Sequence, residues 1–315
     1  MVPVPADTPR WQAYTAPGVD LSMFPPLALA EAHEQMSRLT DPDLIGKAPG
    51  LPQRKVDGTC RICAQDDTLT FEHIPPQATG NKTRARVMRS ADMLDRGLDA
   101  DFPRSGHSQA QRGSGAHVLC KACNENGAAG KHLVKEYAEL TKAFTDNLLT
   151  ACIPLRDGTL GLPKTLDITL HGYALGRAAR QALIMLMAVS GGAAVTRLHP
   201  ALRDIAAGKD LQPPPGIRLG LALALGRDRF GPPHLLAGPG GVQVFIEVAA
   251  PPCRWTLSWA AEHLVAPEGT ADVTDWLGLG FNDGPTVMVT LPVGMIIGAA
   301  PGDTRDHATI MRERS

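Results

Sequence analysis

The spacing of hydrophobic residues changes twice along this chain of 315 residues. In residues 27–39 and 132–144, apolar residues recur every three or four positions, which predicts amphipathic helices. From about residue 155 onward, short apolar runs that alternate or are rich in β-branched residues lie between Gly and Pro clusters, a pattern typical of strands joined by turns. Residues 176–190 are more continuously apolar and predict one buried helix.

These patterns predict an α+β protein in three parts. Residues 1–55 are rich in proline and carry one predicted helix, so we interpret them as an arm. Residues 56–150 contain two Cys-x-x-Cys pairs and most of the clustered basic residues, and they form the candidate chemical module. Residues 151–315 predict a mostly β domain with one buried helix, whose role in targeting, sensing or oligomerisation the sequence leaves open. Turn signals in this last part lie at residues 213–216, 231–233, 238–241 and 282–285.

Charge and composition narrow the possible classes of protein. Lys and Arg number 31 against 32 Asp and Glu, which excludes a globally basic nucleic-acid binder and confines any such contact to a local patch. The N-terminus has no basic start followed by an apolar stretch, as a secretory signal would. The most apolar window, residues 182–195, is shorter than the roughly 18–20 residues that a bilayer requires. We therefore expect a cytoplasmic protein without a membrane span.

Four of the six cysteines form the pairs Cys60/Cys63 and Cys120/Cys123. In a reducing cytoplasm this spacing favours a metal over disulfides, and four thiolates suit the tetrahedral coordination of Zn²⁺. Chance spacing and a redox dithiol are the alternatives, but two such pairs in one module fit a metal better. The 56 residues between Cys63 and Cys120 exceed the roughly 15–20 of a simple zinc ribbon, which predicts a functional insert between the two pairs.

Polar residues follow each cysteine pair. Glu72 and His73 come at the end of a predicted strand, before a Pro-Pro and Gly-Asn turn. Asn124 directly follows the last cysteine, at the start of the next predicted helix. Because one metal would tie the two cysteine pairs together, we expect Glu72, His73 and Asn124 to converge.

The segments at residues 60–63, 71–82 and 119–124, followed by a Gly and a helix, resemble the HNH endonucleases. The similarity is to the variety whose ββα-metal motif is held by two Cys-x-x-Cys knuckles, and it covers about residues 60–140. It implies an endonuclease that hydrolyses DNA phosphodiester bonds, with Glu72 and Asn124 as ligands of a catalytic divalent metal and His73 as the general base. Many members carry an Asn five residues before the third cysteine, where this chain has Gly115, although members with Glu-His and Cys-Asn often lack it. The insertion from about residue 84 to 114 is also longer than a minimal motif requires.

The residues themselves are suited to this chemistry. Phosphodiester hydrolysis needs a deprotonated water and a Lewis acid on the leaving oxygen. Mg²⁺ or Mn²⁺ can do the second task with the carboxylate of Glu72, the amide oxygen of Asn124 and a substrate phosphate as ligands. An unperturbed imidazole has a pKa of about 6.5, so His73 suits the role of general base, which is worth roughly 10²–10⁴-fold in rate. The sequence leaves open whether His117 or His132 joins the site.

Plainer interpretations of these residues stay open. Glu72 and His73 could be a solvated strand end beside a purely structural zinc. Asn124 could cap the following helix, as Asn often does. The module could then be a non-catalytic zinc knuckle that binds nucleic acid or a protein partner, or an adaptor for an enzyme formed by residues 151–315.

Basic residues cluster after the Glu-His turn and around the second cysteine pair. Lys and Arg contacts to phosphates supply most sequence-independent affinity, so this placement predicts binding to a nucleic-acid backbone. Aromatic residues are only 4% of the chain, which favours duplex DNA over stacked single strands. The alternative is a solvated face balanced by nearby aspartates. The basic residues are Lys82, Arg84, Arg86, Arg89, Lys121 and Lys131, and the aspartates are Asp92, Asp95, Asp99 and Asp101.

Overall fold

The computed structural model has the α+β fold that the sequence predicts, with mostly antiparallel sheets and a small number of helices. Of the predicted N-terminal helix, residues 34–35 and 37–39 are described, and they are helical. The residues described are 34–35, 37–39, 41–82, 85–87, 108–110, 113–126, 131–154, 160–209, 212–226, 229–238, 241–259, 269–280 and 282–296.

The cysteine-containing module is built around a small antiparallel sheet. After the short helix α1 (Pro42–Ile45), strands β1 (Asp57–Thr59) and β2 (Asp66–His73) form a hairpin. Strands β3 (Ala85–Val87) and β4 (Ser108–Ala110) pair with each other inside the predicted insert. Strand β5 (Gly115–Cys120) returns alongside β2, so that the strand order is β1-β2-β5.

Helix α2 (Lys131–Ala151) follows a π-helical turn at Ala122–Asn126. The sequence predicts this helix over residues 132–144, and the structure extends it by about two turns. Its buried residues recur every three or four positions, so that one stripe of the helix faces the core. They are Leu133, Tyr137, Leu140, Phe144 and Leu148.

The described residues after α2 form a larger sheet, a two-stranded pair and three α-helices. Strands β6 (Ile153–Pro154) and β7 (Leu160–Gly161) form a small pair, and β8 (Thr165–Leu170) leads into the large sheet. Helices α3 (Leu175–Val189), α4 (Ala194–Leu198) and α5 (Pro200–Ala206) come next. The remaining strands are β9 (Ile217–Gly226), β10 (Arg229–Gly238), β11 (Gly241–Ala250), β12 (Cys253–Trp259), β13 (Ala271–Asp272) and β14 (Val287–Ile296).

The large sheet has the order β10-β11-β12-β9-β14-β8, with β13 paired to β9. Its pairs are antiparallel except that β14 runs parallel to β9, with Val293 opposite Leu223. Helix α3 is the predicted buried helix: Arg177 is its one residue that is not buried. A helix that is apolar on nearly every side must lie inside the protein, and α3 packs against β11 and β12 and against α2.

One predicted turn lies inside a strand. The Gly-Pro-Pro at residues 231–233 was expected to separate two strands, whereas the structure places it within β10. The pairing of β10 with β11 is irregular between Gly231 and His234. Because β10 ends the sheet order, prolines without an N–H group are tolerated there.

Among the residues that the structure describes, no helix combines the length and the apolar character needed to cross a bilayer.

Candidate metal centre and active site

The two cysteine pairs come together in space. Cys60 and Cys63 lie in the turn between β1 and β2, Cys120 ends β5, and Cys123 lies in the π-helical turn that follows. The four Sγ atoms all lie within 4.8 Å of one another, and those of Cys63 and Cys120 are 3.8 Å apart. Sulfurs at the corners of a tetrahedron with Zn–S bonds of about 2.3 Å are separated by about 3.8 Å. The cluster could therefore hold a metal ion such as zinc.

Local backbone bonds form each knuckle. The Ala64 amide donates to the Cys60 carbonyl at 2.9 Å, and Ala64 adopts a left-handed φ of 59° that reverses the chain. The Cys123 amide points at the Cys120 sulfur, 3.4 Å away. A hydrogen bond from the Cys123 thiol lowers the pKa of Cys60 to about 5, whereas burial raises the pKa of Cys63 to about 11. Four cysteines this close can all be thiolates only around a cation, because their negative charges would otherwise repel one another.

Glu72 is buried in β2, where it pairs with Ala116 of β5. Burial raises the pKa of its carboxyl to about 8. None of the ion pairs among the described residues involves Glu72, and burial is the cause of its shift. A buried carboxylate without a partner either keeps its proton or takes a cation, since a bare charge is costly to remove from water.

Asn124 reaches across to β2. Its amide nitrogen donates to the Thr70 hydroxyl and to the Phe71 carbonyl, both at 3.0 Å. Alternate residues of a strand share a face, so Asn124 lies against the face of β2 that bears Thr70 and Glu72. Both amide hydrogens are used, which leaves the Oδ1 atom available as a ligand. Because α2 begins only at Lys131, Asn124 does not occupy the N-cap position of that helix.

His73 lies on the other face of β2. Its ring meets the ring of Phe71 edge-on at 4.9 Å, and Phe71 in turn meets the ring of His117 at 5.3 Å. The structure thus brings Glu72 and Asn124 to one face and His73 and His117 to the opposite one. His73 is the last residue of β2, so it lies at the edge of the sheet where the strand ends.

Asn81 is a site residue that sequence reasoning missed. The sequence predicts it as part of a turn, but its amide donates to the carbonyls of Pro75 and Ser114, at 2.6 and 2.7 Å. Its own Oδ1 accepts a 2.7 Å bond from the Ser114 amide. Asn81 therefore fixes the turn that follows His73 to the start of β5. The sequence offered one signal for this role: Asn81 is the single Asn in residues 71–82.

Gly115 occupies the position where many HNH enzymes carry an Asn. A Cβ atom here would lie 2.1 Å from the Glu72 carbonyl oxygen and 2.8 Å from the Phe71 ring. Strands β2 and β5 approach so closely at this pair that only glycine fits without a shift.

The predicted basic patch is described only in part. Lys82 is exposed, and Lys121 is exposed beside Glu125, 3.8 Å away. Arg84 and Arg89 lie outside the described residues. The backbone of Arg86 lies in β3, and those of Lys131 and His132 lie at the start of α2. The patch and the role of His132 stay predictions.

Comparisons with family models, with characterised proteins and with solved structures yield no match to this chain.

Proposed function

We propose that residues 56–150 form a metal-dependent endonuclease of the HNH type that hydrolyses phosphodiester bonds of DNA, with a structural zinc bound by the four cysteines. The observation that carries the proposal is the seating of Asn124 against the face of β2 that bears the buried Glu72. The two residues are 52 positions apart, and the four-cysteine cluster holds their segments together. Reduced thiols of this kind fit a cytoplasmic protein.

Glu72 and the Oδ1 atom of Asn124 would hold a catalytic Mg²⁺ or Mn²⁺. Bound there, such an ion would stabilise negative charge on the leaving oxygen of the phosphodiester. A hard cation prefers oxygen ligands, and the donor set of one carboxylate and one amide fits this preference. The buried Glu72 would give up its proton to make room for the ion.

His73 would act as the general base. Phe71 contacts its ring edge-on. Because His73 is the last residue of β2, a substrate phosphate would bind at the end of this strand, between the imidazole and the face that bears Glu72. Lys82 follows the turn after His73, and Lys121 directly follows β5 in the second cysteine knuckle; both are exposed and would contact the backbone of duplex DNA.

The proposal is tested by incubating the purified protein with plasmid DNA and Mg²⁺ or Mn²⁺. We expect cleavage by the wild type and a loss of about 10²–10⁴-fold in rate for His73→Ala. His171→Ala, which replaces an exposed histidine outside residues 56–150, should cleave like the wild type. Equal rates for His73→Ala and the wild type would remove the basis for the enzymatic role.

A non-catalytic zinc knuckle that binds nucleic acid or a protein partner is the second candidate. It is favoured by one observation, the placement of Glu72 and His73 on opposite faces of β2. In that case no metal would support cleavage, and His73→Ala would bind duplex DNA as the wild type does. Lys82→Ala and Lys121→Ala would weaken binding and reduce its dependence on salt.

A further inference from the structure

Arg61 lies inside the first cysteine knuckle and is only 1% exposed. Its guanidinium donates to the carbonyl of Ala188, in the last turn of α3. The carbonyl of Arg61 accepts a bond from the hydroxyl of Thr196 in α4. Both contacts join the knuckle to the connection between α3 and α4, more than 120 residues further along the chain.

The same connection is held from a second side. The Gly50 amide donates to the Gly191 carbonyl, and the Ala193 amide donates to the Ile45 carbonyl, both at 2.9 Å. The connection between α3 and α4 is thus fixed between the segment before β1 and the first knuckle. The last turn of α3 is therefore positioned by both the segment before β1 and the first knuckle.

The buried charge of Arg61 needs a countercharge. Within the described residues, no carboxylate forms an ion pair with it. The carbonyl groups at the end of α3 supply only a partial negative charge. Arg61 lies between two residues of the four-cysteine cluster, Cys60 and Cys63, and a zinc ion with four thiolate ligands carries a net charge of −2. A loaded metal site therefore supplies the full negative charge that the guanidinium lacks.

We propose that Arg61 couples occupancy of the four-cysteine metal site to the packing of α3, so that loss of the metal loosens the central helix of the C-terminal part of the chain. The proposal rests on the zinc site put forward above, and it does not depend on nuclease activity. Loss of zinc would then also affect the packing of α2 and of the large sheet, because α3 packs against both.

Hydrogen exchange of residues 175–189 tests the coupling in the full-length protein, with zinc content measured on the same samples. In the wild type, removal of zinc by a chelator should speed exchange in the last turn of α3 by roughly 10–100-fold, since a buried hydrogen bond to a charged group contributes about 1.5–3 kcal/mol. In Arg61→Met, this turn should exchange fast even with zinc bound. Lys121→Met is the matched control, because Lys121 holds the same position in the second knuckle but is 71% exposed.

Thr196→Val keeps the proposal testable if Arg61→Met does not fold. This variant removes the hydrogen bond to the Arg61 carbonyl without changing any charge, and it should show a smaller zinc effect on α3 than the wild type. Wild-type protein that binds zinc but shows equal exchange with and without it would overturn the coupling and leave the proposed zinc site intact. Protein that binds no zinc would overturn both.

Discussion

Asn81 and Ser114 are joined by two hydrogen bonds of 2.7 Å that run in opposite directions, one from the Asn81 amide and one from the Ser114 amide. This pair closes the insert of the module at its base. The turn after His73 and the residue that precedes β5 are thereby held together, whatever the length of chain between them. The strand end that carries His73 takes its position from this link.

Asn81→Ala should destabilise the module, because it removes three hydrogen bonds and leaves buried backbone groups of Pro75 and Ser114 without these partners. We expect a loss of about 2–3 kcal/mol in the free energy of unfolding, measured with urea. Asn147→Ala is the control, since Asn147 is exposed and bonds only within its own helix. It should stay within about 0.5 kcal/mol of the wild type. Equal effects of the two substitutions would contradict the role assigned to Asn81.

Gly115→Ala should be costly because the added methyl group would meet a backbone oxygen, which cannot rotate away as a side chain can. We expect a loss of about 2 kcal/mol or more in urea unfolding. Gly294→Ala provides the comparison within a strand, since a Cβ atom there meets nothing within 4 Å. If both variants unfold at the same urea concentration, the close approach of β2 and β5 is not as described.

Glu72 should make stability depend on pH. Because burial raises its pKa to about 8 in the folded chain, the folded state keeps a proton that the unfolded state releases above its ordinary pKa of 4.5. The free energy of unfolding should therefore fall as pH rises from about 4.5 to 8, by at most about 5 kcal/mol. Urea unfolding of wild type and Glu72→Gln across this range, without added Mg²⁺ or Mn²⁺, isolates the effect. Parallel pH profiles of the two proteins would show that Glu72 does not retain its proton.

Cys120→Ser should abolish the metal site and destabilise the module, because a structural metal adds its binding free energy to folding. Elemental analysis should show zinc falling from about one ion per chain to nearly none, with a lower melting temperature. Cys152→Ser is matched to it, since Cys152 lies outside the four-cysteine cluster. Unchanged zinc content in Cys120→Ser would exclude Cys120 as a ligand.

Local patterns in the sequence were enough to predict much of the architecture. The α+β class, the buried helix α3 and the mostly β character of the residues after 155 follow from hydrophobic spacing, because burial of one face leaves a periodic pattern along the chain and burial of every face leaves a continuous apolar run. The gathering of the four cysteines follows from ligand chemistry, since a tetrahedral zinc site needs four ligands and each Cys-x-x-Cys pair supplies only two.

Tertiary structure decided what depends on contacts between distant residues. The face on which His73 lies follows from the register of β2, and the burial of Arg61 follows from the packing of the knuckle against α3. Gly-Pro-Pro could enter β10 because that strand ends the sheet order. None of these features leaves a local pattern, since each depends on which surfaces the folded chain brings together. The sequence by itself therefore determined most of the elements and the pairing of the four cysteines, and the tertiary structure decided how the site residues are oriented and how the two parts of the chain are joined.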